Sequence, residues 1–229
     1  MTTRPAARLA IYDMDKTVTR LPTWIPFLSY CVARRARWRV VFVPVVLVFA
    51  ILFAAKAIDR HRMKEVAHRW MLGRHMTRAS LAPLVAGFAR HTLATNVLPG
   101  ALARIAADRA AGYRLVLATA SNRMYAAAIA EAVGFDDCVA TNSIIGLDDR
   151  VSAKIDGDNC YGPAKLAMIR AWMASAGIDR ASAHIRFYSD HPSDRPAFEW
   201  ADEAFPANPD ARLRQLAAEK GWPLLDWRS

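Results

Sequence analysis

The sequence has few cysteines, and they are not arranged as a disulfide framework or a zinc site would require. Its three cysteines, Cys31, Cys138 and Cys160, lie far apart, and the sequence has neither a CxxC pair nor a histidine-rich cluster. An odd and scattered set of thiols is typical of a reducing compartment. Residues 1–9 also lack the apolar core of a secretory leader. We therefore expect a cytoplasmic protein without such a leader.

Acidic residues are nearly absent from one part of the chain. The 229 residues carry a net charge of +10, and the whole excess lies between Arg20 and Arg78. That segment contains twelve basic residues and only two acidic ones, Asp59 and Glu65, whereas the rest of the chain is neutral. Such a localised positive charge indicates an anionic surface or substrate. The sequence has no nucleic-acid-binding motif, and its arginines do not alternate with aromatic residues, so we expect no nucleic-acid partner.

Charge is also missing from residues 40–55, an apolar run that Pro44 interrupts. Sixteen helical residues cover about 24 Å, which is less than the roughly 30 Å of a bilayer's hydrocarbon core. Basic residues flank the run on both sides. It could be a buried helix of a cap domain or a hairpin that dips into one leaflet of an anionic membrane surface. A single span is excluded if the residues before and after the run must meet. If the run is a hairpin that dips into one leaflet, the protein would be peripheral or monotopic at the inner face of the membrane.

Strands and helices alternate along the C-terminal half of the chain. This alternation predicts an α/β protein, with a Rossmann-like parallel sheet and helices on both faces. The predicted elements, in order, are a helix over 99–111, a strand over 114–119, a helix over 123–133, a strand over 138–141, a small β excursion within 142–162, a helix over 163–176, a strand over 185–188 and a helix over 210–220. Helical segments are also expected over 27–32, 61–78 and 81–98.

Two aspartates follow the first strand, the apolar run 9–12. Asp13 and Asp15 are one residue apart and precede the hydroxyl of Thr17. Alternate side chains of an extended segment share a face, so both carboxylates can enter one pocket. Two carboxylates that close need a metal ion or a proton between them. A simple turn after a strand is the alternative interpretation.

Polar residues also follow the later strands. Thr119 and Ser121 follow the apolar run 115–118, Asp190 and Asp194 follow the strand 185–188, and Lys165 lies in the first turn of a helix. Ligands of an open parallel sheet bind beyond the carboxyl ends of its strands. Each residue alone could be a helix cap or a solvated side chain, but these explanations account poorly for the joint pattern.

The pattern resembles the haloacid dehalogenase-like hydrolase superfamily, in the branch (subfamily IB) that contains phosphoserine phosphatases. Asp13-x-Asp15-x-Thr17 matches its first motif and Thr119 its second, while Lys165 matches the third and Asp190-x-x-x-Asp194 the fourth. The resemblance implies a hydrolase core at 1–19 and 99–229, with a helical cap inserted at 20–98. The basic and apolar segment 34–64 of this cap resembles branch members that dephosphorylate phosphatidylglycerophosphate. Lys16 and Ser189 replace glycines that are usual in the first and fourth motifs.

The resemblance implies a Mg²⁺-dependent phosphomonoesterase that forms an aspartyl-phosphate. Asp13 would be the nucleophile and Asp15 the general acid–base, both of them catalytic. The substrate phosphate would be bound by Thr17, Thr119, Ser121 and Lys165. The expected metal-binding residues are Asp13, Asp15 through its carbonyl, Asp190 and Asp194, the last of them more as an orienting carboxylate.

The substrate remains open between a phosphorylated small molecule, as in a soluble phosphoserine-type phosphatase, and a phospholipid head group. A haloacid dehalogenase would lack Asp15. A cation-pumping ATPase shares Asp15-Lys16-Thr17 but would have glycine in place of Val18. A membrane-associated phospholipid-binding protein without activity would explain the basic segment but not Asp13 and Asp15.

Overall fold

A six-stranded sheet forms the centre of the protein in a computed structural model, which describes residues 7–73 and 76–228. The strand order is β4-β3-β2-β1-β5-β6. All neighbouring pairs are parallel except β3 and β4, which are antiparallel. The strands are β1 (Ala7–Tyr12), β2 (Arg114–Asn122), β3 (Asp137–Ile145), β4 (Val151–Asp156), β5 (Ala183–Ser189) and β6 (Glu203–Pro206).

Four helices lie between β1 and the helix that precedes β2. They are α1 (Trp24–Arg35), α2 (Val43–Ala54), α3 (Arg60–Met71) and α4 (Arg78–Thr95), and a 3₁₀ segment, Arg37–Phe42, leads into α2. We refer to α1–α4 and their connections as the cap. The remaining helices are α5 (Pro99–Ala110), α6 (Arg123–Val133), α7 (Pro163–Ser175), α8 (Arg195–Trp200) and α9 (Ala211–Lys220).

Side chains of the central strands alternate between two apolar cores, one on each face of the sheet. Leu9 and Ile11 of β1 pack in a core to which α7, α8 and α9 contribute. Ala10 and Tyr12 pack in the other core, with α5, α6 and the cap. All four residues are fully buried, as a parallel strand covered by helices on both faces requires. The predicted α/β fold with helices on both faces is therefore confirmed.

The structure differs from the sequence prediction mainly at the edges of the sheet. The predicted β excursion is the antiparallel β3–β4 hairpin, which makes the sheet mixed. Strand β6 was not predicted, because its four residues contain a proline and follow a short helix. The helix expected over 61–78 ends earlier, since α3 stops at Met71. Residues 74–75, which belong to that predicted helix, lie outside the described residues. So do residues 1–6, for which no secretory leader was expected.

The cap begins and ends at a short neck of paired backbone. Thr19 forms an antiparallel bridge with Val97, and the Leu98 amide donates to the Val18 carbonyl at 3.0 Å. The Arg20 amide donates to the Asn96 carbonyl at 2.7 Å. The two crossings between sheet and cap are therefore adjacent in space.

Helix α2 packs weakly against the rest of the cap. Val46 is its one buried residue among those the structure describes. A window of 18 residues, 37–54, has a mean hydropathy of 2.1, yet 6% of it is buried. By length and composition alone, this segment could cross a membrane. Of the two alternatives that the sequence allowed, a buried cap helix is excluded, because α2 is mostly exposed.

Candidate active site

The predicted strand-end residues meet at the carboxyl edge of the sheet. Asp13 follows β1, and its amide donates to the Tyr188 carbonyl of β5 at 2.8 Å, which extends the ladder beyond the strand. Thr119 and Ser121 lie at the end of β2, and Asp190 follows β5. Together with Lys165 and Asp194 they line or adjoin a cleft of about 210 Å³.

Lys165 is a buried lysine that joins two carboxylates. Its Nζ lies 2.7 Å from Asp13 Oδ1 and 2.5 Å from Asp194 Oδ2. Burial alone would lower the pKa of Lys165, but Asp13 and Asp194 raise it above its ordinary value. The lysine therefore stays charged, and it occupies one Asp13 oxygen. The other, Oδ2, faces the Thr17 hydroxyl at 3.4 Å.

Negative charge exceeds positive charge in the cleft. Burial raises the pKa of Asp13 to about 7, while Lys165 opposes the shift and Asp194 adds to it. Burial likewise raises the pKa of Asp190 to about 6, opposed by Lys16 and Lys165. Four carboxylates, those of Asp13, Asp15, Asp190 and Asp194, thus line the cleft together with one buried lysine and the exposed Lys16. A further cation would relieve this repulsion.

The donor set fits Mg²⁺, which usually takes one or two carboxylates together with water and substrate phosphate. The Thr17 hydroxyl lies 3.4 Å from both Asp13 Oδ2 and Asp190 Oδ1, so these two carboxylates face the same space. Within the described residues, no group of three or more His, Cys, Asp or Glu side chains is arranged to bind a metal ion by itself. The candidate ligands are thus Asp13 and Asp190, with the Asp15 carbonyl as predicted from the resemblance.

The side chains of the two other predicted ligands, Asp15 and Asp194, are held by protein groups. The Asp15 side chain accepts hydrogen bonds within the cap–core junction, and Asp194 Oδ2 is taken by Lys165. Asp194 Oδ2 also accepts from the Ser189 hydroxyl at 2.7 Å. Its second oxygen, Oδ1, is buried and has no hydrogen-bond partner among the described residues. This arrangement suits the orienting role expected for Asp194, because the Ser189 hydroxyl holds its carboxylate where it contacts Lys165.

Asp15 is held by three donors from two different parts of the chain. Thr23, just before α1, donates through its amide at 2.9 Å and its hydroxyl at 2.8 Å. Ser121 donates through its hydroxyl at 2.9 Å. The Thr23 hydroxyl also lies 3.1 Å from the Tyr125 hydroxyl. Ser121 is therefore turned toward Asp15 in this structure, and the Thr119 hydroxyl accepts from the Ser121 amide at 3.0 Å.

Several positioning residues were not found from the sequence. Thr23 and Tyr125 have no local motif that points to Asp15, since Thr23 contacts it from the cap and Tyr125 of α6 contacts Thr23. Asn208 donates through its side chain to the carbonyls of Lys16 and Thr17, at 3.0 and 3.3 Å, and so fixes the loop after Asp13. Lys16 itself has a φ of 63°, a left-handed conformation that explains why glycine is usual there.

A lysine of the cap reaches the carboxyl edge of the sheet, which we call the catalytic edge because the candidate residues lie there. Lys64 of α3 donates to the Ala120 carbonyl at 2.5 Å and to the Asn159 side chain at 2.8 Å. Ala120 lies between Thr119 and Ser121 and lines the cleft. One helical turn further, His68 is buried and its Nε2 has no partner among the described residues. The cap therefore contacts the loop that carries both motif hydroxyls.

A larger groove, of about 420 Å³, lies between α4, α6 and the β3–β4 hairpin. Its lining contains neither a carboxylate nor a lysine. The predicted site residues lie instead at the smaller cleft, where buried charge, hydroxyls and a backbone edge come together.

Comparisons with known proteins agree with this geometry. The family model of haloacid dehalogenase-like hydrolases matches residues 10–199. The chain is 28% identical over 224 residues to an inhibition of morphological differentiation protein of Streptomyces azureus, covering 95% of this chain and 78% of that protein. It is 27% identical over 160 residues to a histidinol-phosphatase of Neisseria meningitidis, covering 65% and 72% respectively.

Solved structures share the fold. A protein of unknown function from Bordetella pertussis superposes with a TM-score of 0.87 at 24% identity, covering 96% of this chain and 99% of that one. A phosphoserine phosphatase captured as a phospho-aspartyl intermediate analogue has a TM-score of 0.61 at 12% identity, with 97% and 94% covered. The fold is thus that of the phosphoserine phosphatases.

Proposed function

The chain belongs to the haloacid dehalogenase-like hydrolase family, and on that premise we propose that it is a Mg²⁺-dependent phosphomonoester hydrolase. The observation that carries the proposal is the state of Asp13. One of its oxygens is neutralised by Lys165, and the other faces the cleft beside Thr17. A carboxylate attacks an anionic phosphate only when cations reduce the repulsion between them.

In the proposed reaction, one carboxylate oxygen of Asp13 attacks phosphorus and the bond between phosphorus and the substrate oxygen breaks, which gives an aspartyl-phosphate and releases the alcohol. Water then hydrolyses this intermediate and releases phosphate. Asp15 protonates the leaving oxygen and later takes a proton from water, while Thr23 and Ser121 hold its carboxylate in place. Thr17, Thr119 and Lys165 bind the phosphoryl oxygens, whereas the hydroxyl of Ser121, which was also expected to bind phosphate, donates to Asp15.

Bound Mg²⁺, held by Asp13, Asp190 and the Asp15 carbonyl, would supply positive charge to the phosphoryl group. Asp194 holds the Lys165 ammonium group beside Asp13, since the lysine contacts both carboxylates.

The experiment is phosphate release from para-nitrophenyl phosphate with and without EDTA, together with mass spectrometry of acid-quenched enzyme. We expect Mg²⁺-dependent release, and a phosphorylated peptide that contains Asp13. Asp13→Asn should lower the rate at least about 10⁴-fold and remove the phosphopeptide. Asp158→Asn, at an exposed aspartate, is the matched control and should leave both unchanged. Full activity of Asp13→Asn would refute the nucleophile assignment.

A second candidate function is hydrolysis of a phosphorylated lipid head group at the inner face of the membrane. The exposed apolar segment 37–54 supports this substrate, since a soluble metabolite gives no reason for it. A soluble phosphoserine-type substrate is the alternative, and the proposed core 1–19 and 99–229 suits either. The buried free thiols of Cys31 and Cys160 support a reducing, cytoplasmic location.

A screen of phosphate release compares phosphatidylglycerophosphate with soluble phosphomonoesters. A preference of at least tenfold in kcat/KM for one class identifies the substrate class. A protein that binds such lipids without releasing phosphate would be a binding protein, and the hydrolase proposal would then be wrong.

A further inference from the structure

The cap exposes a group of large apolar side chains on and just before α2. We call this group the apolar surface. Six of its seven members expose more than half of their surface, among them Ile51 at 68% and Val41 at 63%. Its residues are Trp38, Val40, Val41, Leu47, Val48, Ile51 and Leu52. Exposed apolar groups of this extent are rare on soluble monomers and mark an interaction site.

Basic side chains lie at both ends of the apolar surface. This basic rim consists of Arg34, Arg35, Arg37, Arg39 and Lys56. None of the five has a carboxylate within 4.0 Å among the described residues. The arginines instead contact neutral groups: Arg34 stacks on the Tyr30 ring, and Arg35, Arg37 and Arg39 donate to backbone carbonyls. The rim therefore keeps a net charge that an external anion can neutralise.

The sheet excludes one arrangement of this segment in a bilayer. Strand β1 precedes α2 and strand β2 follows it, and the two strands pair directly in one sheet. The neck between Thr19 and Val97 closes the cap on the same side. A single crossing would place β1 and β2 on opposite sides of the membrane. Any contact of α2 with a membrane must therefore be made from one side, along its exposed face.

The charge of the rim also favours one occupant over another. A symmetric contact between two copies of the chain would bring the same surface patch against itself, with five basic side chains on each side. An anionic leaflet would pair each of those charges with a lipid phosphate while its acyl region covers the apolar side chains.

We propose that the apolar surface and its basic rim bind the cap to an anionic phospholipid bilayer, with α2 lying in the interface of one leaflet. Binding does not depend on catalysis, so the proposal stands apart from the proposed hydrolase activity. It places the cap, which contacts the catalytic edge through Lys64, at the membrane surface.

The experiment is flotation of the full chain with vesicles of phosphatidylglycerol and phosphatidylcholine, or of phosphatidylcholine alone. We expect binding to the anionic vesicles at low salt and at least tenfold weaker binding when salt is raised to 0.5 M, because screening removes the rim's contribution. Arg37→Gln and Lys56→Gln should each weaken binding about fivefold. Arg212→Gln, at an exposed arginine of α9, is the matched control and should bind as the unmodified protein does.

The apolar contribution is tested with the double variant Leu47→Asn/Ile51→Asn. It should bind anionic vesicles at least tenfold more weakly and keep its circular dichroism spectrum, because both side chains are exposed. Leu147→Asn, at the fully exposed tip of the β3–β4 hairpin, is the control and should not change binding. Trp38 reports insertion: lipids with a spin label on the acyl chain should quench fluorescence in the unmodified protein, and less so in Trp38→Phe.

Two results would overturn the proposal. The first is an unmodified protein that fails to float with anionic vesicles at low salt. The second is a concentration-dependent dimer, seen by analytical ultracentrifugation, that the double variant abolishes while vesicle binding persists. In the second case the apolar surface would be an interface between copies of the chain. Asp13→Asn should bind vesicles normally, so a failure of catalysis and a failure of membrane binding are distinguishable.

Discussion

The catalytic edge and the apolar surface of the cap show opposite exceptions to how side chains are usually distributed. At the catalytic edge, the ionisable side chains of Asp13, Lys165 and Asp194 are buried. On the cap, Leu47 and Ile51 are apolar and exposed. Burial of charge and exposure of apolar surface both cost free energy. The difference lies in what compensates them: the buried charges compensate one another within the chain, whereas the apolar surface lacks a partner within it.

The largest effect is expected where the buried charges depend on one lysine. Lys165→Met should destabilise the protein by about 3–5 kcal/mol, because it leaves Asp13 and Asp194 buried without a cation. Urea unfolding measures the change. Adding Asp194→Asn to Lys165→Met should restore part of the stability without restoring phosphatase activity. Equal stability of the single variant and the unmodified protein would mean that these carboxylates are protonated in the folded state.

A buried apolar residue of the same cap sharpens the contrast with α2. Phe27 is fully buried and stacks on Tyr125 at a ring separation of 4.5 Å, with Phe88 at 5.3 Å. Phe27→Ala should cost about 3–5 kcal/mol, because it removes a ring from the contact between cap and α6. Thermal unfolding gives the measurement. A loss below about 1 kcal/mol would contradict this packing.

His68 gives the comparison a pH dependence. Burial lowers its pKa from 6.5 to about 4, so the folded protein keeps it neutral while the unfolded chain takes up a proton. Stability therefore falls as pH drops from 6.5 toward 4, by up to about 3 kcal/mol from this residue. Urea unfolding at pH 7.0 and 4.5 should show a smaller acid loss in His68→Phe than in the unmodified protein. An identical loss in both would exclude His68 as a source.

The smallest effect is expected on the apolar surface. Ile51→Asn should change the free energy of unfolding by no more than about 0.5 kcal/mol, because the side chain is mostly exposed. Urea unfolding in the absence of lipid tests this value, with Phe27→Ala as the contrasting variant. A loss above about 2 kcal/mol would mean that α2 is packed within the molecule, and the comparison would fail.

Much of the catalytic edge follows from strand periodicity. Residues such as Asp13, Thr119 and Asp190 follow apolar runs, and parallel pairing brings the ends of such runs together. Other contacts join segments that no local pattern connects. Thr23 meets Asp15 only after the cap has folded, and Asn208 reaches Lys16 from the C-terminal part of the chain. The exposure of α2 was also unpredictable, because composition alone does not distinguish a buried apolar helix from an exposed one.

The neck of the cap has a consequence for protein engineering. The segments that enter and leave the cap meet where Thr19 pairs with Val97. They also meet where the Asn96 side chain accepts from the Leu21 amide and donates to the Leu21 carbonyl. Entry and exit points this close can be joined by a short turn. A chimera could therefore carry another cap on the same sheet without altering strand order, provided that the new cap replaces the contacts that Thr23 and Phe27 make with the core.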